Sequence, residues 1–380
     1  MRTIIFGTYD TAMHPRTATI AEGLAARGVD VVECNIPLGL STADRVDMLA
    51  KPWKAGTLAA RLASRWFGLA AKARRLGRPD AVVVGYLGHF DVHLARLLYR
   101  RGKVPLVLDH LISAAGTARD RRISGGGVKQ RLLALIDAAA LRAADIVMVD
   151  TEEHLEIVPD RYRRKAVVVY VGAPEPWHAA AAEAPAASES GPLKVVFYGL
   201  YTPLQGTPVI GEALGRIAGA PVEVTMIGRG QDEAATKRAA AANTSVRWLD
   251  WVPAAELPAL VAAHDVCLGI FGAGDKAMRV VPNKVFQGAA AGCAVITSDT
   301  APQRRVLGTV SQESGAVLVP PGDPAALADA LLKLAADRDA LLKLRHAARQ
   351  LAARRFTPEE VVAPLTDRLL PEHTRGLAVP

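Results

Sequence analysis

The sequence predicts an α/β protein built from two Rossmann-like domains. Short β-branched runs alternate with Ala- and Leu-rich helical stretches along the chain, which is the pattern of parallel strands joined by crossover helices. The alternation breaks once, at residues 179–192, a stretch rich in Ala, Ser, Glu and Pro, and then begins again. A chain of 380 residues, half of them apolar, is long enough for two such cores.

In the first half, strands are expected at 3–6, 30–34, 81–85, 106–109, 146–149 and 167–169, with helices over 17–27, 58–76, 92–101 and 129–143. The second series places strands at 194–198, 223–227, 246–249, 266–269, 294–297 and 316–319. Its helices are expected over 207–217, 232–241, 256–263 and 284–291, followed after a Pro-Pro-Gly-Asp-Pro turn by helices over 325–336 and 340–356 and a short tail. Ligands of such sheets sit beyond the carboxyl ends of the strands, so the loops there hold the candidate site residues.

Net charge of +8 suits phosphate-bearing ligands or acidic lipid surfaces. Nucleic acid is disfavoured, because the basic residues are spread out and no stacking-aromatic, zinc or helix-turn-helix signature accompanies them. Cys34, Cys267 and Cys293 are isolated and odd in number, which predicts buried, inert thiols and neither a disulfide framework nor a metal site. The amino terminus reads as a strand and not as a secretion signal, and charged residues interrupt every apolar run that would otherwise span a bilayer. A cytoplasmic enzyme is expected, with any membrane contact peripheral. Residues 61–78 place Trp66 and Phe67 among Arg61, Arg65, Lys72, Arg74 and Arg75; they read either as a Rossmann helix with a solvated basic face or as one that lies on an acidic membrane.

The first βα loop carries Gly7, His14 and Arg16 ahead of a helix start, where an anion or a hydroxyl would lie; the alternative is a plain capped turn. The loop after the third strand carries His89 and Asp91 beside two glycines, and there Asp91 reads equally as a helix cap. Strand 106–109 delivers Asp109 and His110, an imidazole able to bond a sugar hydroxyl or manage a proton, or else a core histidine paired with its neighbour. In the second half, Gly199 through Gln205 and Gly206 form a plausible diphosphate loop, and Gly228 and Gly230 leave Arg229 room to reach a phosphate. Gly272, Lys276, Arg279, Asn283, Lys284 and Gln287 make the richest stretch: three cations leading into a helix start, suited to a diphosphate leaving group.

Segments 199–206 and 227–230, the Trp251-Val252-Pro253 turn before Glu256-Leu257, His264-Asp265-Val266 and the run from Pro282 to Gln287 into Ala291-Gly292 together resemble retaining glycosyltransferases of the GT-B fold, family 4. The resemblance implies two Rossmann-like domains facing across a cleft: 1–178 on the acceptor side, a linker at 179–192, 193–355 binding a nucleotide sugar, and 356–380 packing back toward the first domain. It implies transfer of a sugar from a nucleoside-diphosphate sugar to an acceptor hydroxyl of a glycan, lipid or small metabolite, with no cofactor and no metal. His110, Arg279 and Lys284 are the expected catalytic residues. Gly7, Gly199, Gln205, Gly228, Arg229, Gly272, Asn283 and Gln287 are expected at the donor, and His14, Arg16, His89, Asp91 and Asp109 on the acceptor side.

Two departures stand out. Where that family carries an Arg and a Lys in the loop matching 199–206, this chain has Leu200 or Tyr201 and Gln205; where it carries two glutamates, this chain has Arg279 and Gln287. Arg279 and Lys284, with Arg229, are expected to take over the charge. A GT-B epimerase or hydrolase and a non-catalytic nucleotide or sugar binder are the alternatives. Asp337-Arg338-Asp339 looks like a metal motif but is expected to be a turn and helix cap.

Overall fold

The computed structural model describes residues 1–10, 15–40, 52–111, 113–116, 127–183, 191–309, 313 and 315–370. The chain divides into two compact units, one formed by Met1–Tyr170 and the chain from Val361 onward, the other by Val171–Glu360.

The first unit holds a six-stranded parallel sheet in the order β2-β1-β3-β4-β5-β6, made of β1 (Arg2–Gly7), β2 (Asp30–Asn35), β3 (Ala81–Val84), β4 (Leu106–Asp109), β5 (Ile146–Val149) and β6 (Ala166–Val168). The interior strands β3, β4 and β5 are buried along their whole length, as continuous apolar runs must be when helices cover both faces. One face packs on α2 (Pro52–Leu76), α3 (Asp91–Tyr99) and α4 (Gly127–Ala143) through Leu69, Val92, Ala95 and Leu141. The other packs on α1 (Arg16–Ala26) through Ile20 and Leu24. Two short helices, α5 (Glu152–Ile157) and α6 (Asp160–Arg163), join β5 to β6. The sheet order reverses between β1 and β3, which makes the carboxyl ends of those strands and of β4 the natural ligand position.

The second unit begins with α7 (Glu175–Glu183), so helix occupies the first residues of the stretch read as a linker; residues 184–190 lie outside the described residues. Its parallel sheet runs β12-β11-β10-β7-β8-β9, from β7 (Leu193–Tyr198), β8 (Val222–Ile227), β9 (Val246–Leu249), β10 (Val266–Leu268), β11 (Ala294–Ser298) and β12 (Ala316–Val319). The crossover helices are α8 (Thr207–Arg216), α9 (Glu233–Ala239), α10 (Leu257–Ala262), α11 (Asn283–Ala290) and α12 (Ala301–Leu307), followed by α13 (Pro324–Ala336) and α14 (Arg338–Arg355). Here the order reverses between β7 and β10.

Local chemistry sets the helix starts where the sequence suggests it. Asp323 Oδ1 accepts from the Ala325 and Ala326 amides at 2.9 Å, with Pro324 in the first turn, and Asp337 Oδ1 caps α14 through the Ala340 amide at 2.8 Å. Asp337 is therefore spent as a helix cap, as expected. All three cysteines are free and buried, and burial pushes the Cys267 thiol up to about 12. The tail after α14 forms a further helix, α15 (Pro358–Leu369), beyond the two that the sequence predicts there. Its Val361, Val362 and Leu365 complete the core of the first unit around Val107 and Met148.

Candidate functional site

In the second unit three loops meet at the reversal of sheet order. The loop after β7 runs from Gly199 to Gly206, the loop after β8 holds Gly228 and Arg229, and the loop after β10 passes through Gly272 to the start of α11. They pack backbone on backbone. The Phe271 amide donates to the Gln205 carbonyl at 3.0 Å and the Gly199 amide to Ile227 O at 3.0 Å. Two glycines make this approach feasible. Gly206 has φ +64°, and a Cβ there would stand 2.4 Å from the Phe271 carbonyl carbon; Gly228 has φ +129°, and its Cβ would meet Gly199 O at 2.0 Å. Backbone atoms cannot step aside, so Gly228→Ala should destabilise the second unit by about 2–4 kcal/mol, read as a lowered melting temperature. An unchanged melting temperature would mean that the loops are not closed as described.

Lys284 is the charged centre of this region. It sits in the first turn of α11, is 4% exposed, and turns its ammonium inward. Nζ donates to Gln205 Oε1, lies 3.9 Å from the Phe197 ring centroid, and is 3.1 Å from the point where a Cβ on Gly199 would stand. Burial pushes the amine down to about 7, because desolvation penalises the charged form. The ammonium thus reaches the underside of the loop after β7, where Gln205 itself brings no charge. Gln287, one turn further along α11, is buried and accepts a hydrogen bond from the Tyr198 hydroxyl at 3.0 Å. Asn283 and Arg279 are half-buried at and before the helix start. As the first two residues of α11, Asn283 and Lys284 carry backbone N–H groups that have no partner within the helix. Arg229 points into solvent and pairs with Asp250, an exposed ion pair of small energetic weight.

In the first unit, the carboxyl ends of β3, β4 and β5 bring three histidines together. The rings of His89 and His110 have centroids 5.4 Å apart, and those of His110 and His154 5.8 Å. The outer two each face a carboxylate: His89 Nε2 lies 3.1 Å from Asp137 Oδ1, and His154 Nδ1 2.7 Å from Asp150 Oδ1. His89 Nε2 does not meet hydrogen-bond geometry with Asp137, whereas His154 Nδ1 and Asp150 Oδ1 form a hydrogen bond. Burial alone would raise the Asp137 carboxyl, yet the His89 ring, the Ser113 hydroxyl and the Ala114 amide together hold it at about 2. The middle ring has no such partner. His110 Nδ1 is buried without a hydrogen bond, and burial, reinforced by His89 and His154, pushes its pKa down to about 3. His110 is therefore a neutral imidazole at ordinary pH.

Other residues read from the sequence are present but occupied. Asp109 pairs with Arg16 and not with His110: Arg16 Nε is 2.9 and 3.1 Å from its two oxygens, and both side chains are buried. Arg16 Nη1 also donates to Tyr170 O at 3.2 Å. Asp91 does not cap α3. Its Oδ2 accepts from the Thr8 amide at 2.7 Å and the Thr8 hydroxyl at 2.8 Å, and Oδ1 accepts from Trp66 Nε1 at 2.8 Å, so it ties the loop after β1 to α2. Gly7 lies against that carboxylate. His14 falls outside the described residues.

The sequence reading missed His154, Asp150 and Asp137. For the first two a signal exists, an Asp at a strand end with a His four residues on, in the first turn of the next helix. Asp137 lies in mid-helix and reaches the site only through the packing of α4, so no local pattern marks it. Among the described residues, no group of His, Cys, Asp or Glu is arranged to hold a metal ion.

Residues 192–337 match the family model described as glycosyl transferases group 1. A comparison of the sequence with curated proteins finds no match. Solved structures match over 97% of the chain. Sucrose-phosphate synthase from Thermosynechococcus elongatus superposes with TM-score 0.67 at 15% identity, covering 97% of that chain. HepE from Anabaena, in complex with UDP-glucose, gives 0.66 at 12% identity and 99% coverage of that chain. An α,α-trehalose-phosphate synthase (UDP-forming) from Burkholderia vietnamiensis gives 0.64 at 14% and 96%. On these findings the chain has the GT-B fold, two parallel six-stranded sheets with their helices, and its residues 192–337 match the group 1 glycosyl transferases.

Proposed function

We propose that the protein is a retaining glycosyltransferase that moves a sugar from a nucleoside-diphosphate sugar to an acceptor hydroxyl, without a metal or other cofactor. The observation that carries this reading is the Lys284 ammonium held beneath the glycine loop after β7, at the reversal of sheet order and inside the matched stretch. A diphosphate laid along residues 199–206 would meet that ammonium, the start of α8 and the amides of Asn283 and Lys284, with Arg279 beside them. Those groups stabilise the departing charge by fixed dipoles and cations, the work a bound metal does elsewhere. One of the structural neighbours, HepE, was solved with UDP, with UDP and glucose, and with UDP-glucose, which supports a nucleotide sugar as donor.

In the proposed reaction the bond from the sugar anomeric carbon to the diphosphate oxygen breaks. The acceptor hydroxyl attacks the same face, and its proton passes to a phosphate oxygen of the leaving group. On the first unit, the neutral His110 is assigned to a sugar hydroxyl, as a hydrogen-bond partner and not as a cation. Gln287 is assigned to the ribose: its amide both donates and accepts, so it replaces a carboxylate as a hydrogen-bond group without its charge.

Incubation with a panel of nucleotide sugars and acceptors tests the proposal. Nucleoside diphosphate should be released together with a glycoside whose anomeric configuration, read by NMR, equals that of the donor. Release without glycoside would make the protein a hydrolase. Inversion would overturn the retaining mechanism, and tight donor binding with no release from any pair would leave a binding protein.

A further inference from the structure

The charge of the chain is not evenly distributed. Residues 51–144 contain 18 of the 46 Lys and Arg residues and only 5 of the 38 Asp and Glu residues, so the rest of the chain is net acidic. The structure turns this bias into one surface. The helices α2, α3 and α4 form a single layer on one face of the first sheet, and their outer sides carry Arg61, Arg65, Arg74, Arg75, Arg131 and Arg142, all exposed. The acidic side chains on these three helices, Asp91 and Asp137, are both buried beneath the layer. Arg96 of α3 pairs with Asp145, just after α4, at 2.7 Å, whereas the six exposed arginines are in no ion pair among the described residues.

Each of the three helices also exposes a large apolar side chain: Phe67 on α2 at 79%, Leu97 on α3 at 62%, and Leu132 and Leu135 on α4 at 58% and 65%. Scattered single cases need no explanation. Four on one helical layer that also carries six exposed arginines are another matter. A cavity of about 310 Å³ opens where the carboxyl end of α2 meets α3, lined by Arg74, Arg78, Leu98 and Tyr99 among others. The Tyr99 hydroxyl is buried there without a hydrogen-bond partner.

We propose that this layer is a docking surface for an anionic lipid bilayer, with Phe67, Leu97, Leu132 and Leu135 entering the headgroup region and the arginines pairing with lipid phosphates. Apolar and cationic side chains interleaved on a helical surface suit that interface, where a buried carbon and a charged headgroup lie a few ångströms apart. Duplex nucleic acid would use the arginines and leave the aliphatic side chains unspent. No described helix is long and apolar enough to cross a membrane, so the contact is peripheral. The proposal does not depend on the glycosyltransferase reading.

The test is sedimentation of the full chain with vesicles of phosphatidylcholine alone and of phosphatidylcholine carrying phosphatidylglycerol. Binding is expected to the acidic vesicles only, and to weaken at high salt. Phe67→Ser and the triple variant R61E/R65E/R74E should each lower the vesicle partition coefficient, the triple variant by about tenfold or more. All four positions are exposed, so melting temperature should be unchanged, and a drop in it would disqualify that variant as a probe. Three results overturn the proposal: no sedimentation with acidic vesicles, equal sedimentation with neutral ones, or binding unaffected by both variants. Displacement from the vesicles by a DNA duplex, with duplex binding indifferent to Phe67→Ser, would also overturn it and assign the surface to nucleic acid.

Discussion

Replacing Lys284 by Met is expected to stabilise the protein and to weaken donor binding. The Lys284 amine has the ordinary lysine value near 10.4 in the unfolded chain and about 7 in the folded one, burial being the cause. Between those values the unfolded state binds a proton that the folded state does not, so stability rises with pH across this window. At or below pH 7 the cost of the buried ammonium stands in full. The Met variant should then be more stable by on the order of 2–4 kcal/mol, an advantage that shrinks as pH approaches 10. Thermal unfolding at several pH values measures this. Nucleoside diphosphate affinity should fall by about two orders of magnitude, since a charge-assisted contact is lost inside a buried site. An anion beside the amine favours its charged form, so diphosphate binding near pH 8 should take up protons, measurable by calorimetry in buffers of different ionisation enthalpy. Unchanged affinity, with no proton uptake, would remove Lys284 from the donor site.

Replacing His110 by Gln should lower kcat by about 10²-fold with a smaller effect on KM, the size expected when a positioned imidazole is lost. Because burial, His89 and His154 push its pKa to about 3, the wild-type ring should not titrate between pH 5 and 8 in histidine NMR spectra. The rate should likewise show no acid limb from His110 in that range. Removing His89, as His89→Gln, takes away one of the groups that disfavour a second positive charge, so the His110 value should rise. A ring that titrates near 6.5 in the wild type would show that the cluster is more open to water than its burial indicates.

The sequence marks Lys284 and His110 to different extents. Lys284 was a candidate in the sequence because a cation at the start of a helix after a glycine-bearing strand end is a local pattern. Its inward orientation was not visible. That depends on Phe197, Gln205 and the bare face of Gly199, which come from 79 to 87 positions away in the chain. His110 is visible as a histidine at a strand end, where pairing with its neighbour Asp109 is only the alternative to a functional imidazole. Successive residues of a strand point to opposite faces, so Asp109 goes to Arg16 and His110 to the other histidines. The cap reading of Asp91, the alternative to its acceptor-side role, fails for a related reason. A short carboxylate beside a helix start looks like a cap, but its oxygens were claimed by Thr8 and Trp66, which arrive from two other elements.

The sequence by itself determined the alternation of strand and helix, the restart that makes two sheets, the capping aspartates and the loops in which polar residues collect. All of these follow from periodicity, turn chemistry and burial within a few residues of one another. Only the tertiary structure decided which charges are neutralised and which are left. Arg16, Arg96 and Arg229 found carboxylates, Lys284 found a glutamine and a ring, His110 found two histidines, and the exposed arginines of α2 and α4 are in no ion pair among the described residues. Such pairings depend on distances across the fold, which no local pattern carries, and they set both the pKa values and the exposed charge from which function is argued.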